Sequence, residues 1–539
     1  MTIPQFLLLR QPLPNNQINS LTVSPKESFV QQFFNNKENL NANQQENKKM
    51  IIKTEQDEIQ NYLVDASNTK GFCDAVYIPQ NVSETAEIIK EANEKKQSVT
   101  ISGNGTGLTG ARVPKGGIVI STERLNRIVE INTEQNFVIV EPGILLSELQ
   151  DTVKQKGLLY APDPTERNCF IGGTVATNAS GARTFIYGPT RHYVEELEII
   201  LPDGDFLYLK RGENFADDLY LTLRTSSGKD IKLTLPDYEM PKTKNASGYF
   251  CKRNMDAIDL FIGSEGTLGV ITKIKLKLLP LPFNELSCIL FFETENNALD
   301  FLIKARDESY KNRRLKIINS IDAAALEYFD KNSLKFLIND YPNIPVNAEA
   351  AVWFEQQCNE NEDDLLELWI NLFLDYNGKE EDAWFAMTEK DKENIIGFRH
   401  TISTNVNEYI SLNNFRKLGT DVAVPDKNLI DFYYAIKKDV EEKKLDYVIY
   451  GHLGNSHIHL NMLPKTEEEF AKGKKLYKGI CSHAISLGGT FSAEHGVGKN
   501  KTEYLVEMYG QENVNKMRVL KKTLDPNYIF GVGNIFEKE

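Results

Sequence analysis

A strand-like run, Ser98-Val-Thr-Ile-Ser102, leads straight into Gly103-Asn-Gly-Thr-Gly-Leu-Thr-Gly110. That junction limits the fold more than any other stretch. Residues 105–110 satisfy Gly-x-Gly-x-x-Gly, the spacing that in a dinucleotide fold turns a strand into a helix carrying pyrophosphate at its N-terminus. Here Ala-Arg-Val-Pro-Lys-Gly-Gly follows, and Pro114, Gly116 and Gly117 leave no helix to open. No Gly-Lys-Ser/Thr follows either, which excludes a P-loop. What remains is a loop of small residues with free backbone N–H groups, suited to cradling a pyrophosphate without a helix terminus. The approach to it reads β–α–β. Ser83 is expected to cap a helix running to Lys95, with Thr85, Ile88, Ile89 and Ala92 on one face.

Two further runs are almost free of bulk: Pro162-Asp-Pro-Thr-Glu-Arg-Asn-Cys-Phe-Ile-Gly-Gly-Thr-Val-Ala-Thr-Asn-Ala-Ser-Gly181 and Ile262-Gly-Ser-Glu-Gly-Thr-Leu-Gly-Val-Ile271. Three such stretches, each beside strand-like sequence, predict backbone laid close against a long flat ligand.

The reactive side chains gather elsewhere. Of seven histidines, His452, His457 and His459 fall in Tyr450-Gly-His-Leu-Gly-Asn-Ser-His-Ile-His-Leu-Asn461, and His495 in Ser492-Ala-Glu-His-Gly-Val-Gly498. Imidazoles beside a carboxylate suit Zn²⁺ or a similar divalent transition metal. On a strand His457 and His459 share a face, and the Gly-Asn-Ser turn after His452 can fold it back toward them. Glu494 offers an oxygen ligand and leaves His495 free as a base. A metallohydrolase would use such a cluster too, but it leaves the three small-residue runs unexplained.

Size and charge bound the rest. A chain of 539 residues exceeds one comfortable core, so two or three structural units are expected. A net charge of −14 without any Lys/Arg block argues against a nucleic-acid partner. The six cysteines contain no Cys-x-x-Cys pair, which argues against an iron–sulfur cluster or zinc ribbon and fits a reducing cytoplasm. No apolar run approaches the roughly 20 residues of a membrane span. A cytoplasmic protein is expected, with peripheral contact at the inner face of the membrane left open. Residues 1–49, rich in Asn, Gln and Lys without a sustained period, are expected to form a poorly ordered extension.

The 103–110 loop, the 162–181 run with Tyr187-Gly-Pro-Thr-Arg191, and residues 262–272 resemble the FAD-binding domain of the vanillyl-alcohol oxidase-type flavoproteins. The histidine motif, the 492–498 segment and the ending Leu524-Asp-Pro-Asn-Tyr-Ile-Phe-Gly531 resemble its branch of FAD-linked 2-hydroxyacid dehydrogenases, which act on D-lactate, glycolate or D-2-hydroxyglutarate. The resemblance implies an α+β fold: a PCMH-type FAD-binding domain of two α+β subdomains over 50–282, a cap domain with an antiparallel sheet over 283–474, and a segment over 475–539 returning to the FAD domain. The sequence in between suits a cap, with alternation at Cys288-Ile-Leu-Phe-Phe292, a helix over 297–309, and amphipathic stretches at 320–339 and 360–376. The acidic run Asn359-Glu-Asn-Glu-Asp-Asp364 reads as a solvated helix end.

By the same resemblance, Gly103, Asn104, Gly105, Thr106, Gly107 and Leu108 meet the FAD pyrophosphate, with Thr109 and Gly110 nearby. Pro162, Asp163, Gly172, Gly173, Thr177, Asn178, Ser180 and Gly181 flank the flavin and its chain. Glu265, Gly269 and Ile271 lie against the adenine and ribose. Residues 101–117 hold neither His nor Cys, so non-covalent FAD is expected, with Cys169 the only nearby thiol. His452, His459 and Glu494 match the metal ligands and His495 the general base. His457 occupies a position that is often Asn and becomes an extra polar contact or a group that orients the ligands, although strand alternation favours it as a co-ligand of His459. Arg399, with Thr401 or Ser403, and Lys417 match the anchors of the substrate carboxylate. The implied chemistry is hydride transfer from a 2-hydroxy acid to flavin. Electrons then pass to a quinone, a cytochrome or an electron-transfer flavoprotein.

Overall fold

The computed structural model describes residues 50–358, 362–386 and 388–537; the extension over 1–49 lies outside the described residues, as do Asn359, Glu360 and Asn361 of the acidic run. A four-stranded sheet comes first, in the order Ile51–Lys53, Ala75–Ile78, Ile118–Ser121, Val99–Ser102. Its last three strands are parallel and its first is antiparallel. The helix Val82–Glu94 makes the crossover and buries Thr85, Ile88, Ile89 and Ala92, the expected face. Its cap is Asn81 rather than Ser83. The chain is still extended at Asn81, whose side chain reaches the Glu84 N–H at 2.9 Å, whereas Ser83 already lies inside the first turn.

After Val99–Ser102 no helix opens, and residues 103–117 run as irregular loop. A five-stranded antiparallel sheet follows, ordered Ile128–Asn132, Phe137–Val140, Val270–Lys277, Val194–Ile200, Phe206–Lys210. The helix Ile171–Thr177 lies within the second small-residue run and ends on Asn178 at φ +51°.

A third, larger antiparallel sheet carries Ala383–Phe385, Asn284–Phe292, Ala350–Cys358, Ala325–Asp330, Tyr447–Gly451, His457–Met462 and Leu418–Gly419 in that order, with Val422–Ala423 also on His457–Met462. The alternation expected over 288–292 does not put one face in water: both faces are buried. Cys288, Leu290 and Phe292 pack with Phe301 of helix Glu295–Leu315 and Trp369 of helix Glu362–Asp375, while Ile289 and Phe291 pack with Phe398 and Ile402 of helix Glu389–Leu412. A sheet covered on both sides reads as continuous apolar sequence. Truncating Phe398 to Ala would cost about 3–5 kcal/mol. The first-turn acids Glu362, Asp363 and Asp364 open the helix Glu362–Asp375, where they favour the positive end of its dipole.

Two helices close the chain, Glu467–Ser486 and Thr502–Leu524, the second broken at Gly510. Ile529 and Phe530 then enter the core of the first sheet beside Ile88, Ile89 and Val99. Among the described residues no helix is long and apolar enough to cross a membrane.

Candidate active site

Two cavities adjoin. The narrower, about 280 Å³, is walled by Gly103, Asn104, Gly105, Thr106, Gly107 and Leu108, by Gly172, Gly173, Thr177 and Ser180, and by Glu265, Gly269 and Ile271. The remaining residues expected there stand one layer back, each for a visible reason. Thr109 is buried and donates to the His495 carbonyl at 3.3 Å, and the Gly110 N–H goes to Asp65 at 2.8 Å. The Pro162 carbonyl accepts from Gln150, and Asp163 faces Arg183 at 4.0 Å. Asn178 caps its helix while accepting from the Arg191 N–H at 2.9 Å, and a Cβ on Gly181 would lie 1.8 Å from the Asp163 carbonyl. Cys169 lines the cavity, and burial pushes its thiol up to about 12, so it is a poor nucleophile.

A long anionic cofactor fits this wall. A Cβ on Gly173 would meet nothing within 4 Å, and one on Gly103 only the Phe170 side chain at 3.9 Å, so backbone itself faces the space. Arg112 also lines it. Its guanidinium is anchored on the Gly103 and Asn61 carbonyls, while its Nε has no partner among the described residues. A buried cationic donor left open beside free backbone N–H groups is what a phosphate needs.

The wider cleft, about 1290 Å³, is lined by His452, His459, His495, Arg399, Ser403, Lys417, Glu327 and Tyr450, while His457 is fully buried behind its wall. The strand His457–Met462 puts His457 and His459 on one face, with ring centroids 4.4 Å apart. The short turn Leu453–Asn455 and Ser456 at φ +53° return His452 to within 5.1 Å of the His457 ring and 5.5 Å of the His459 ring. The ligand atoms of His452, His457, His459 and Glu494 all lie within 4.8 Å of one another.

Each ring is aimed by an oxygen behind it. His452 Nδ1 meets Glu327 Oε1 at 2.5 Å, His457 Nε2 meets Asp421 Oδ1 at 3.0 Å, and His459 Nδ1 donates to the Thr420 carbonyl at 3.0 Å. This is the arrangement that fixes ring orientation around a metal. The other nitrogens face Glu494, whose Oε1 lies 3.2 Å from His452 Nε2 and 3.8 Å from His457 Nδ1. The Lys244 ammonium also pairs with Glu494, and it lies 3.5 Å from His457 Nδ1.

The charges follow from these contacts. Burial alone would raise the Glu494 carboxyl, but Lys244, His452 and His457 hold it well below the usual range. Burial is likewise outweighed at Asp421 by His495, Lys501 and His457, and at Glu327, held to about 2, by His452 and Arg399. Burial would lower His452, yet the carboxylates on either side raise it. Burial and then the Lys244 charge bring His457 down to about 4, and His459 falls well below its ordinary value through burial and the neighbouring rings. His495 stacks on His459 at 5.6 Å and is lowered by burial, while its Nδ1 faces the ionised Asp421 at 3.3 Å. Its Nε2 is therefore the basic nitrogen. Glu494 and His495 line both cavities and so form the wall between them.

Arg399, Ser403 and Asn407 recur every fourth residue along helix Glu389–Leu412, presenting one stripe to the cleft. Arg399 donates to Glu327 at 3.2 Å and lies over Trp353. Thr401, the other hydroxyl considered, bonds back to the Gly397 carbonyl and does not line the cleft. Lys417 Nζ donates to Asn407 at 3.0 Å, and burial lowers it to about 8. Sequence reasoning missed Glu327, Lys244 and the hub role of Asp421, which accepts from Ser492 at 2.8 Å and Lys501 at 3.0 Å. Glu327 carried a signal, as an acid within the apolar strand Ala325–Asp330; Lys244, in a loop, carried none.

A model of the FAD binding domain matches residues 73–210, and one of the C-terminal domain of FAD linked oxidases matches residues 313–535. The chain belongs to the FAD-linked oxidase family and is an oxidoreductase with an FAD-binding domain. It is 28% identical to the glycolate oxidase subunit GlcD of Bacillus subtilis, over 86% of this chain and 89% of that one. It is 29% identical to a D-lactate dehydrogenase of Anaerostipes hadrus (85% and 88%) and 27% identical to a D-2-hydroxyglutarate dehydrogenase of Stutzerimonas stutzeri (86% and 90%). Among solved structures, an alkyldihydroxyacetonephosphate synthase shares the fold with a TM-score of 0.60 at 15% identity, over 96% of this chain and 89% of that one.

Proposed function

We propose that the protein oxidises a D-2-hydroxy acid, with D-lactate the first substrate to test, to the 2-oxo acid, and passes the electrons through FAD to an acceptor other than a nicotinamide. Residues 50–282 and 475–539 then serve the cofactor, and 283–474 the substrate. The observation that carries this reading is the shared wall: Glu494 and His495 face the small-residue cavity on one side and the charged cleft on the other. The names of the relatives support hydroxy acids as the substrate class.

When bound, FAD supplies the two-electron acceptor, and a divalent ion of the zinc type on His452, His459 and Glu494 supplies Lewis acidity. The chain's own residues do the rest. His495 takes the hydroxyl proton at Nε2, because Asp421 holds its other nitrogen and burial keeps the ring neutral. Arg399 and Lys417 pair with the carboxylate, and Ser403, one turn from Arg399, adds a hydroxyl. Fixing the carboxylate there turns the α-carbon toward the wall at His495.

The size of the cleft favours a second reading, a longer or dicarboxylic acid such as D-2-hydroxyglutarate, since Lys474 and Lys475 line it beyond Arg399 and Lys417. Anaerobic mixing of the FAD-loaded protein with D- and L-lactate, glycolate and D-2-hydroxyglutarate, with and without chelator, separates these readings by flavin bleaching. D-Lactate is expected to bleach fastest and chelator to slow it; no bleaching by any 2-hydroxy acid would end the proposal.

A further inference from the structure

Four nitrogen or oxygen donors converge at the wall of the cleft, one more than the ligand set just assigned, and the extra one is His457, buried just behind that wall. Its ring is constrained from both ends. At Nε2 it faces the Asp421 carboxylate at 3.0 Å, an acceptor only, so that nitrogen carries the hydrogen. At Nδ1 it faces the Lys244 ammonium at 3.5 Å, a donor only, so that nitrogen carries the lone pair. The lone pair is directed at Glu494 Oε1, 3.8 Å away, and lies with the ligand atoms of His452 and His459 inside the same 4.8 Å cluster. His459 has the complementary tautomer, Nδ1 donating to the Thr420 carbonyl and Nε2 left as the ligand.

We infer that His457 is a fourth protein ligand, so that this chain holds its divalent ion with three imidazoles and one carboxylate. The inference rests on the metal reading proposed above and extends it. The Asp421 carboxylate behind His457 does what Glu327 does behind His452: it fixes the ring and makes it a stronger donor. Asp421 is itself held by Lys501 at 3.0 Å and Ser492 at 2.8 Å, so the support has a second tier. The Lys244 ammonium sits against Glu494 and His457 together, and an ion bound there must displace it. Four protein ligands form a closed set of the kind that retains zinc, and a substrate oxygen joins it only by raising the coordination number.

The test is zinc bound to the full-length, FAD-loaded protein, read by zinc K-edge X-ray absorption and by competition with a chromophoric chelator. Three imidazoles and one carboxylate are expected around the ion in the unaltered protein. In His457→Asn the count should fall to two, with zinc held at least 10–100-fold more weakly and flavin absorbance unchanged. Two imidazoles in the unaltered protein, or an unchanged count and affinity in His457→Asn, overturns the inference while leaving the ion on His452, His459 and Glu494. No zinc retained by the unaltered protein removes the metal reading itself. Because the count is taken first on the unaltered protein, a variant that fails to fold does not block the decision.

Discussion

Along residues 103–108 and 172–180 the narrow cavity is faced mainly by backbone and small side chains, with Arg112 the one cation lining it among the described residues; in the cleft beside it, the facing atoms belong to titratable side chains, the His452 and His457 rings aimed by carboxylates and the His459 ring by a backbone carbonyl. The first wall works by leaving room, so it is sensitive to bulk. The second works by orientation and charge, so it is sensitive to isosteric changes that a packing argument would call harmless. His495 belongs to both and offers the sharpest separation.

His495→Ala is expected to slow flavin reduction by roughly 10²–10⁴-fold, the usual worth of a positioned general base, with the flavin still bound. Stopped-flow single turnover gives the rate, and the ratio of flavin to protein absorbance gives the occupancy. Unchanged reduction would place the base elsewhere; lost flavin would make His495 part of the cavity wall alone. The counterpart is Gly173→Leu, whose side chain enters open space rather than neighbouring atoms. FAD should then bind at least about tenfold more weakly, equivalent to 1.4 kcal/mol, while zinc retention and the thermal midpoint hold. Full flavin content would show that the cofactor does not pass over this helix.

The two regions were not equally legible in sequence. The backbone-lined cavity was largely readable because runs without bulk announce themselves: the residues at 103–108, Gly172, Gly173 and Glu265 all reach its wall. Thr109, Gly110, Asn178 and Gly181 do not, since a small residue can serve a turn or a close approach one layer behind as readily as the wall itself. In the cleft the histidine cluster from His452 to His459 was readable because a strand and one turn join its members. Their supports were not, because Glu327 and Lys244 arrive from segments 125 and 208 residues away from His452 in sequence, as the numbering shows. The alternation over 288–292 marked a strand of the large antiparallel sheet but not what covers it, because period two does not reveal a second helical layer.

Lys244 tests the charge side of the comparison. Its ammonium pairs with Glu494, the carboxylate proposed above to hold the divalent ion. Lys244→Met removes the competitor at similar length, and zinc is expected to bind about tenfold tighter, a modest share of the several kcal/mol that a unit charge exerts at about 4 Å. Chelator competition reads it directly. Weaker zinc binding would mean that Lys244 orients Glu494 for the ion instead of opposing it.

The smallest effect lies at the seam between the two regions. Arg183, just after the small-residue run, reaches across to the large sheet, bonding Glu355 at 2.7 and 3.1 Å and Glu285 at 3.0 Å, with Asp163 4.0 Å away. Three carboxylates share one guanidinium there, and Lys392 acts on Glu285 only as a weaker influence. Burial, then repulsion from Glu355, pushes Glu285 up to about 7. A carboxyl raised in the folded state contributes its stability fully below its ordinary value near 4.5 and loses it as pH rises through about 7. Glu285→Gln keeps the shape of the protonated acid and removes the titration. The variant should gain on the unaltered protein across that window, reaching on the order of 1 kcal/mol at pH 8, with the difference levelling off above it. Thermal midpoints from pH 5 to 8 measure this. A variant that loses ground as pH rises would show that Arg183 needs the second negative charge, and that the seam is held by full ionisation rather than by a retained proton.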